Sequence, residues 1–219
     1  MEDRLHEYIA EIASLTEKEL EAQLSPTDPD YGILQEAMRY SACGGGKRVR
    51  PFLCLAVSDM LGGERTRALP SAVALEMVHT YSLIHDDLPC MDNDALRRGR
   101  PTCHIRFGES TAMLAGDGLL TRAFEVIADA SSLDAGQKAS AVSALSHAAG
   151  ADGMIAGQIM DLAAEDGGCV TQEKLEKLQG LKTGAMIRCA VRLGGIAART
   201  EDKMLADALD TYAARVGLA

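Results

Sequence analysis

Apolar positions recur along the chain in steps of three and four residues, the spacing of one face of an α-helix. Leu5, Tyr8, Ile9, Ile12, Leu15 and Leu20 make such a face and predict a first helix. Ser25-Pro26-Thr27-Asp28-Pro29-Asp30 is a turn cluster, with Asp30 placed to cap a second helix running through Tyr40. Pro51 and Gly62-Gly63 bracket a third helix, and Pro70 stands near the start of a long fourth one. Further helical segments are expected over 109–130, 134–149, 151–165, 171–198 and 201–217, with Gly167-Gly168 as a break between two of them. No window alternates apolar and polar positions for long enough to support a sheet. The pattern predicts an all-α protein. At 219 residues it is long enough for one large core, and no break suggests a second domain, so 1–219 reads as one unit.

Composition narrows the picture. Apolar residues make up 47% of the chain, aromatics only 4%, and Trp is absent, so Leu, Ala, Ile, Val and Met must build the core. Lys and Arg number 22 against 32 Asp and Glu, a net charge of −10 that argues against nucleic acid as a partner. No apolar run has transmembrane length, so stable membrane insertion is not expected, and Met1-Glu2-Asp3-Arg4 opening an amphipathic helix does not read as a signal peptide. The cysteines, Cys43, Cys54, Cys90, Cys103, Cys169 and Cys189, are scattered without a CxxC pair. That disfavours structural zinc and a disulfide framework, and reduced thiols suit a cytoplasmic location.

The candidate chemistry lies at the end of the fourth helix. An apolar run, Tyr81-Ser82-Leu83-Ile84, gives way to Asp86, Asp87, Asp92 and Asp94, and then to Arg97, Arg98 and Arg100. Two carboxylates about 4 Å apart near a protein surface repel by roughly 4 kcal/mol, so the acids need a cation or open solvent. Hard divalent ions such as Mg²⁺ take oxygen ligands and are shared between carboxylates and substrate phosphates. Guanidinium groups match phosphate geometry, which suits the arginines to the far side of the same ligand. Pro89 disfavours the helical conformation at Leu88, so regular structure should end near Asp87 and let Asp92 fold back from a loop. The plainer alternative, a solvated helix end, sits poorly between an apolar run and an Arg pair.

Gly44-Gly45-Gly46-Lys47-Arg48-Val49-Arg50-Pro51 invites a P-loop reading, which fails because Ser41 holds the first Gly position and Arg48 follows Lys47. What remains is a Gly turn feeding a helix N-terminus, with Lys47 and Arg50 about one turn apart, where phosphate is attracted. His79 lies seven residues before Asp86 on the same helix face. On sequence alone it reads more readily as a core histidine than as a ligand, and His85 reads as packing.

DDLPCMD followed by LRRGRPT resembles the first aspartate-rich motif of the trans-isoprenyl diphosphate synthases, in the longer spacing of the bacterial farnesyl and plant geranylgeranyl types. Ala95 departs from the bacterial pattern, which usually has Asp there. GGKRVRP is similar to the family's isopentenyl diphosphate segment, Gly157-Gln158-Ile159-Met160-Asp161 to its GQxxD segment, and Leu181-Lys182-Thr183-Gly184-Ala185 to its K-T-G/A segment. Four motifs thus occur in order over the whole chain.

The resemblance implies a bundle of long helices around a central cavity, normally a homodimer, that joins isopentenyl diphosphate to an allylic diphosphate. It implies Mg²⁺, with Mn²⁺ as a substitute, on Asp86, Asp87 and Asp92. It implies Lys47, Arg50, His79 and Arg98 on isopentenyl diphosphate, and Arg97, Lys182 and Gln158 on the allylic side. Thr183 is expected near the developing cation. Tyr81, five residues before the first Asp, with Ser82 and Met77, is the expected chain-length floor. A bulky side chain there goes with farnesyl diphosphate, with geranylgeranyl diphosphate as runner-up. Asp117 also fits the family pattern, without a role. The family's second aspartate-rich motif, F-Q-x-x-D-D, would follow Tyr212-Ala213-Ala214-Arg215-Val216-Gly217-Leu218-Ala219, so the C-terminal helices are expected to be missing. Two other readings stand further off. A non-catalytic prenyl synthase subunit generally lacks a complete first acid motif, and a class I terpene cyclase lacks GGKRVRP.

Overall fold

Residues 71–78 are buried without interruption, as are Thr80 and Tyr81. A helix buried all round belongs to the middle of a core. This one, α4 (Arg65–Asp86), delivers the acid cluster. The computed structural model describes residues 2–165, 171–200 and 202–217. The expected Gly167-Gly168 break and Cys169 lie outside the described residues. Before α4 come α1 (Glu2–Gln23), α2 (Gly32–Ala42) and α3 (Val49–Met60). After it come β1 (Leu96–Arg97), β2 (Arg100–Pro101), α5 (Cys103–Phe107), α6 (Glu109–Asp129), α7 (Ala135–Ala149) and α8 (Met154–Glu165). The order ends with α9 (Gln172–Gln179), a π-helical turn (Gly180–Gly184), α10 (Ala185–Ala197) and α11 (Lys203–Val216). The all-α expectation holds: the strands are two residues each and make a single antiparallel ladder.

The described residues gather into two compact units. The first takes in α1, α2, the start of α3, α4 from Val73, the β ladder, α5 and α6. In it α2 packs on α5 and α6. The buried face of α6 is a seam of small and medium residues, Ala112, Ala115, Gly116, Leu119 and Ala123 among them. Gly116 is required there, because a Cβ would come within 2.1 Å of the His85 ring. His85 Nε2 lies 3.0 Å from the carbonyl of Met113, which joins the end of α4 to α6.

The second unit holds most of α3, the start of α4, and α7 to α11. Here α10 packs between α7 and α11 and buries Met186, Ile187, Ala190, Val191, Leu193, Gly194 and Ala197, a helical stripe. Gln137 donates to the carbonyl of Ile196 at 2.6 Å and Arg67 to that of Ala197 at 3.2 Å, satisfying carbonyls that a helix end leaves open.

Two boundaries differ from the sequence reading for local reasons. Asp30 does not cap α2: the cap position is Tyr31, without a side-chain bond, and the Asp30 N–H donates to Asp28 Oδ1 at 2.9 Å within its own turn. The segment expected over 171–198 is three pieces, because the chain widens into a π turn at Gly180–Gly184. Asp134, by contrast, closes a full capping box with Gln137 at the start of α7.

Candidate active site

The acid turn begins where α4 stops. Asp87 N–H still reaches Leu83 at 3.1 Å, but Pro89 ends the pattern. The chain then closes on itself: Met91 and Asn93 donate to the Leu88 carbonyl, and Asp92 donates to the Asp86 carbonyl at 2.9 Å. The backbone of Asp92 is thereby returned to that of Asp86. The β1–β2 ladder follows, with Leu96 opposite Pro101 and Arg97 opposite Arg100. Its two-residue loop, Arg98-Gly99, has positive φ at both positions (54° and 74°), the geometry that matches strand twist.

The hairpin returns Arg97 onto Asp87. Arg97 donates to Asp87 through Nε at 2.8 and 2.9 Å and through Nη2 at 2.6 Å, and Asp94 lies 3.9 Å away. Asp87 is 3% exposed, so its carboxylate needs such a partner. These hydrogen bonds, chiefly, hold the Arg97 guanidinium above its ordinary range. The sequence reading sets Arg97 toward the phosphate of a ligand; the structure pairs it with Asp87.

The base side is built around a residue that the sequence reading treated only as a departure from a P-loop. Arg48 has a left-handed backbone (φ 47°) and is 4% exposed. It pairs with Glu17, with Glu76 at 2.5 Å, and with the Ala42 carbonyl at 2.7 Å. A buried arginine requires such partners. Glu76, an acid in the buried stretch of α4, was the available signal for it. This anchor fixes the Gly turn. Lys47 is exposed beside it and precedes α3 rather than sharing a helical turn with Arg50. Arg98 donates to the Gly45 carbonyl, so the hairpin tip and the Gly turn are joined. Arg50 lies in the first turn of α3 with its Nε buried and without a hydrogen-bond partner. Burial lowers its affinity for its proton, and burial does the same to Arg98. His79 is pushed down to about 3, by burial first and then by the charges of Arg50 and Arg98. Arg50, His79 and Arg98 therefore share one electropositive locality in the first unit.

Tyr81 is 6% exposed and meets the His85 ring edge-on, with centroids 5.7 Å apart. Met77 is fully buried, and Ser82 Oγ donates to the His79 carbonyl at 2.9 Å. Asp117 on α6 lies 3.9 Å from His85 Nε2.

In the second unit, Gln158 is half-buried on α8 and Thr183 is exposed in the π turn. Lys182, also in that turn, donates from Nζ to Asp161 of α8. The sequence reading left Asp161 without a role; its spacing of three from Gln158 places the two on one helix face.

Among the described residues no three His, Cys, Asp or Glu side chains stand together so as to hold a metal ion. The donor chemistry fits a hard divalent ion all the same. Asp86, Asp87 and Asp92 offer oxygen only, and the Asp92-to-Asp86 backbone bond brings two of them to one turn.

The polyprenyl synthetase family model matches residues 32–219. The large subunit 1 of a chloroplastic heterodimeric geranylgeranyl pyrophosphate synthase from Arabidopsis thaliana is 45% identical over 96% of this chain and 57% of its own length. A farnesyl diphosphate synthase from Haemophilus influenzae is 43% identical over 97% of this chain and 72% of its own. The chain thus spans between about half and three quarters of these relatives. An apo crystal structure of an FPP/GFPP synthase from Zymomonas mobilis superimposes with a TM-score of 0.95 at 40% identity, over 99% of this chain and 78% of that one. With a family model covering most of the sequence and relatives above 40% identity, the chain belongs to the polyprenyl synthetase family.

Proposed function

We propose that the protein condenses isopentenyl diphosphate with dimethylallyl or geranyl diphosphate to give farnesyl diphosphate, working as a cytoplasmic homodimer. The observation that carries this reading is Arg50, a guanidinium whose buried Nε has no partner, in the same locality as a neutral His79 and Arg98. With Glu17 and Glu76 paired to Arg48, the guanidinium groups of Arg50 and Arg98 keep positive charge to spare, and a diphosphate would balance it.

In this reading Lys47, Arg50, His79 and Arg98 orient isopentenyl diphosphate. Arg97, Lys182 and Gln158 take the allylic diphosphate. Divalent metal on Asp86, Asp87 and Asp92, Mg²⁺ or Mn²⁺, would supply further neutralisation of the departing diphosphate. Arg97 can pass from the Asp87 carboxylate to a phosphate oxygen, an exchange between two anions of matching geometry. As the C–O bond of the allylic substrate ionises, Arg97 and Lys182 stabilise the charge that gathers on the leaving oxygens. Thr183 offers its hydroxyl or carbonyl to the carbocation. The isopentenyl double bond attacks it, forming the new C–C bond, and the proton then lost passes to the departed diphosphate. Apolar walls keep water from the cation.

Relatives carry both farnesyl and geranylgeranyl names. The farnesyl choice rests on Tyr81, a buried, stiff ring with Met77 and Ser82 near it. Incubation with Mg²⁺, labelled isopentenyl diphosphate and each allylic starter, followed by chain-length analysis, tests the proposal. Labelled C15 product is expected. C20 product would reassign the protein to geranylgeranyl synthesis, and no incorporation from any starter would refute the reading.

A further inference from the structure

Lys182 does not project from a regular helix. It sits in the π-helical turn Gly180–Gly184, where one extra residue is fitted into the helix and the backbone bulges. The bulge is received by α8. A Cβ at Gly157 would lie 2.3 Å from the backbone nitrogen of Lys182 and 2.6 Å from its Cα, so only glycine lets the two backbones meet. At the last residue of the turn, a Cβ at Gly217 would lie 2.7 Å from the Cα of Gly184. The turn therefore makes two close glycine contacts. One helical turn beyond Gly157 on the same face of α8, Asp161 accepts a hydrogen bond from Lys182 Nζ, and both side chains are about a third exposed.

A lysine carries its charge on a flexible four-carbon stem and loses considerable rotamer freedom when fixed. Asp161 removes that freedom in advance. Its bond uses one of the three N–H donors of Nζ and leaves two for a ligand. We infer that Asp161 is a positioning residue: through the Gly157-seated π turn it holds the Lys182 ammonium where a diphosphate oxygen will meet it. This rests on the reading of Lys182 as a diphosphate ligand given above. Asp161 itself touches no substrate.

The test is a double-mutant cycle read by calorimetry, with a geranyl S-thiolodiphosphate as the probe in Mg²⁺ buffer. Lys182→Ala should weaken binding about tenfold, the size expected for one charge-assisted hydrogen bond. Asp161→Ala should weaken it by several-fold, while Asp161→Asn, whose amide oxygen still accepts from Nζ, should keep most of the affinity. The double variant should bind no more weakly than Lys182→Ala alone, because the carboxylate acts only through the lysine. Additive losses, or an Asp161→Ala variant that binds as well as the parent while Lys182→Ala does not, would overturn the inference and leave the diphosphate reading of Lys182 standing. A Lys182→Ala variant that binds like the parent would overturn both. Thermal melts accompany each variant, and Asp161→Ser, polar but too short to reach Nζ, takes the place of Asp161→Ala in the cycle if the latter does not fold.

Discussion

Removing Arg48 should destabilise the first unit severely. Its guanidinium joins Glu17 on α1, Glu76 in the buried stretch of α4, and the carbonyl at the end of α2. The side chains of Arg48 and Glu76 are 2% and 3% exposed, so truncation strips the Glu76 carboxylate of its hydrogen-bonded partner in the core. Breaking a buried pair in this way costs about 3–5 kcal/mol, against a total stability of about 5–15 kcal/mol. Arg48→Ala should therefore lower the urea midpoint severely at pH 7. The backbone adds a separate contribution. Because φ is +47°, Arg48→Gly should be about 1 kcal/mol less damaging than Arg48→Ala, since glycine accepts that conformation freely. The pair Arg48→Met with Glu76→Leu removes both charges and should recover much of the loss, because neither member of that ion pair remains to be desolvated. Urea melts of Arg48→Ala, Arg48→Gly, the double replacement and its two single replacements at fixed pH make the comparison. A cost below about 1 kcal/mol for Arg48→Ala, or a double replacement as unstable as the sum of its parts, would refute the argument.

Other outcomes follow from the site. Burial, with the charges of Arg50 and Arg98 behind it, holds His79 near about 3, below its ordinary 6.5. The unfolded chain takes up the proton that the folded one refuses, so stability is full above about pH 6.5 and falls toward pH 3, by up to about 1.4 kcal/mol per pH unit. His79→Gln should flatten that slope in urea melts between about pH 7 and 5, and an unchanged slope would show that another group titrates. If Asp86, Asp87 and Asp92 hold the metal, Asp86→Ala should lose turnover by about two orders of magnitude or more, and an allylic analogue should bind poorly in excess chelator. Equal binding with and without chelator, measured by calorimetry, would remove the metal from the mechanism. If Tyr81 is the floor of the product cavity, Tyr81→Ala should shift product from C15 toward C20 or beyond. An unchanged C15 product would place the floor elsewhere.

The helices were legible because local physics decides them. Glycine, proline and the step of three and four bounded α6 at 109–129 and α7 at 135–149 within a residue of expectation. Pro89 alone was enough to predict that α4 stops near Asp87 and that Asp92 turns back, and its backbone does reach Asp86. The cap at Asp134 and the buried seam of α10 belong to the same class of local or periodic features. Side-chain partnerships over long separations were not legible. Nothing near Arg48 in the chain distinguishes it from exposed Lys47, since its partners Glu17 and Glu76 lie 31 and 28 residues away. Asp87 could not be told from Asp86 until the hairpin at Arg98-Gly99, lacking the usual Asn-Gly signal, carried Arg97 back to it. The π turn at Lys182 was hidden for a related reason. Its sequence is compatible with a plain helix, and the residues it meets, Gly157 and Asp161, lie in another helix earlier in the chain. Sequence by itself determined where the chain is helical and which residue types can meet phosphate or metal. Which of those charges face one another was left to tertiary packing, because burial and pairing depend on neighbours that periodicity cannot see.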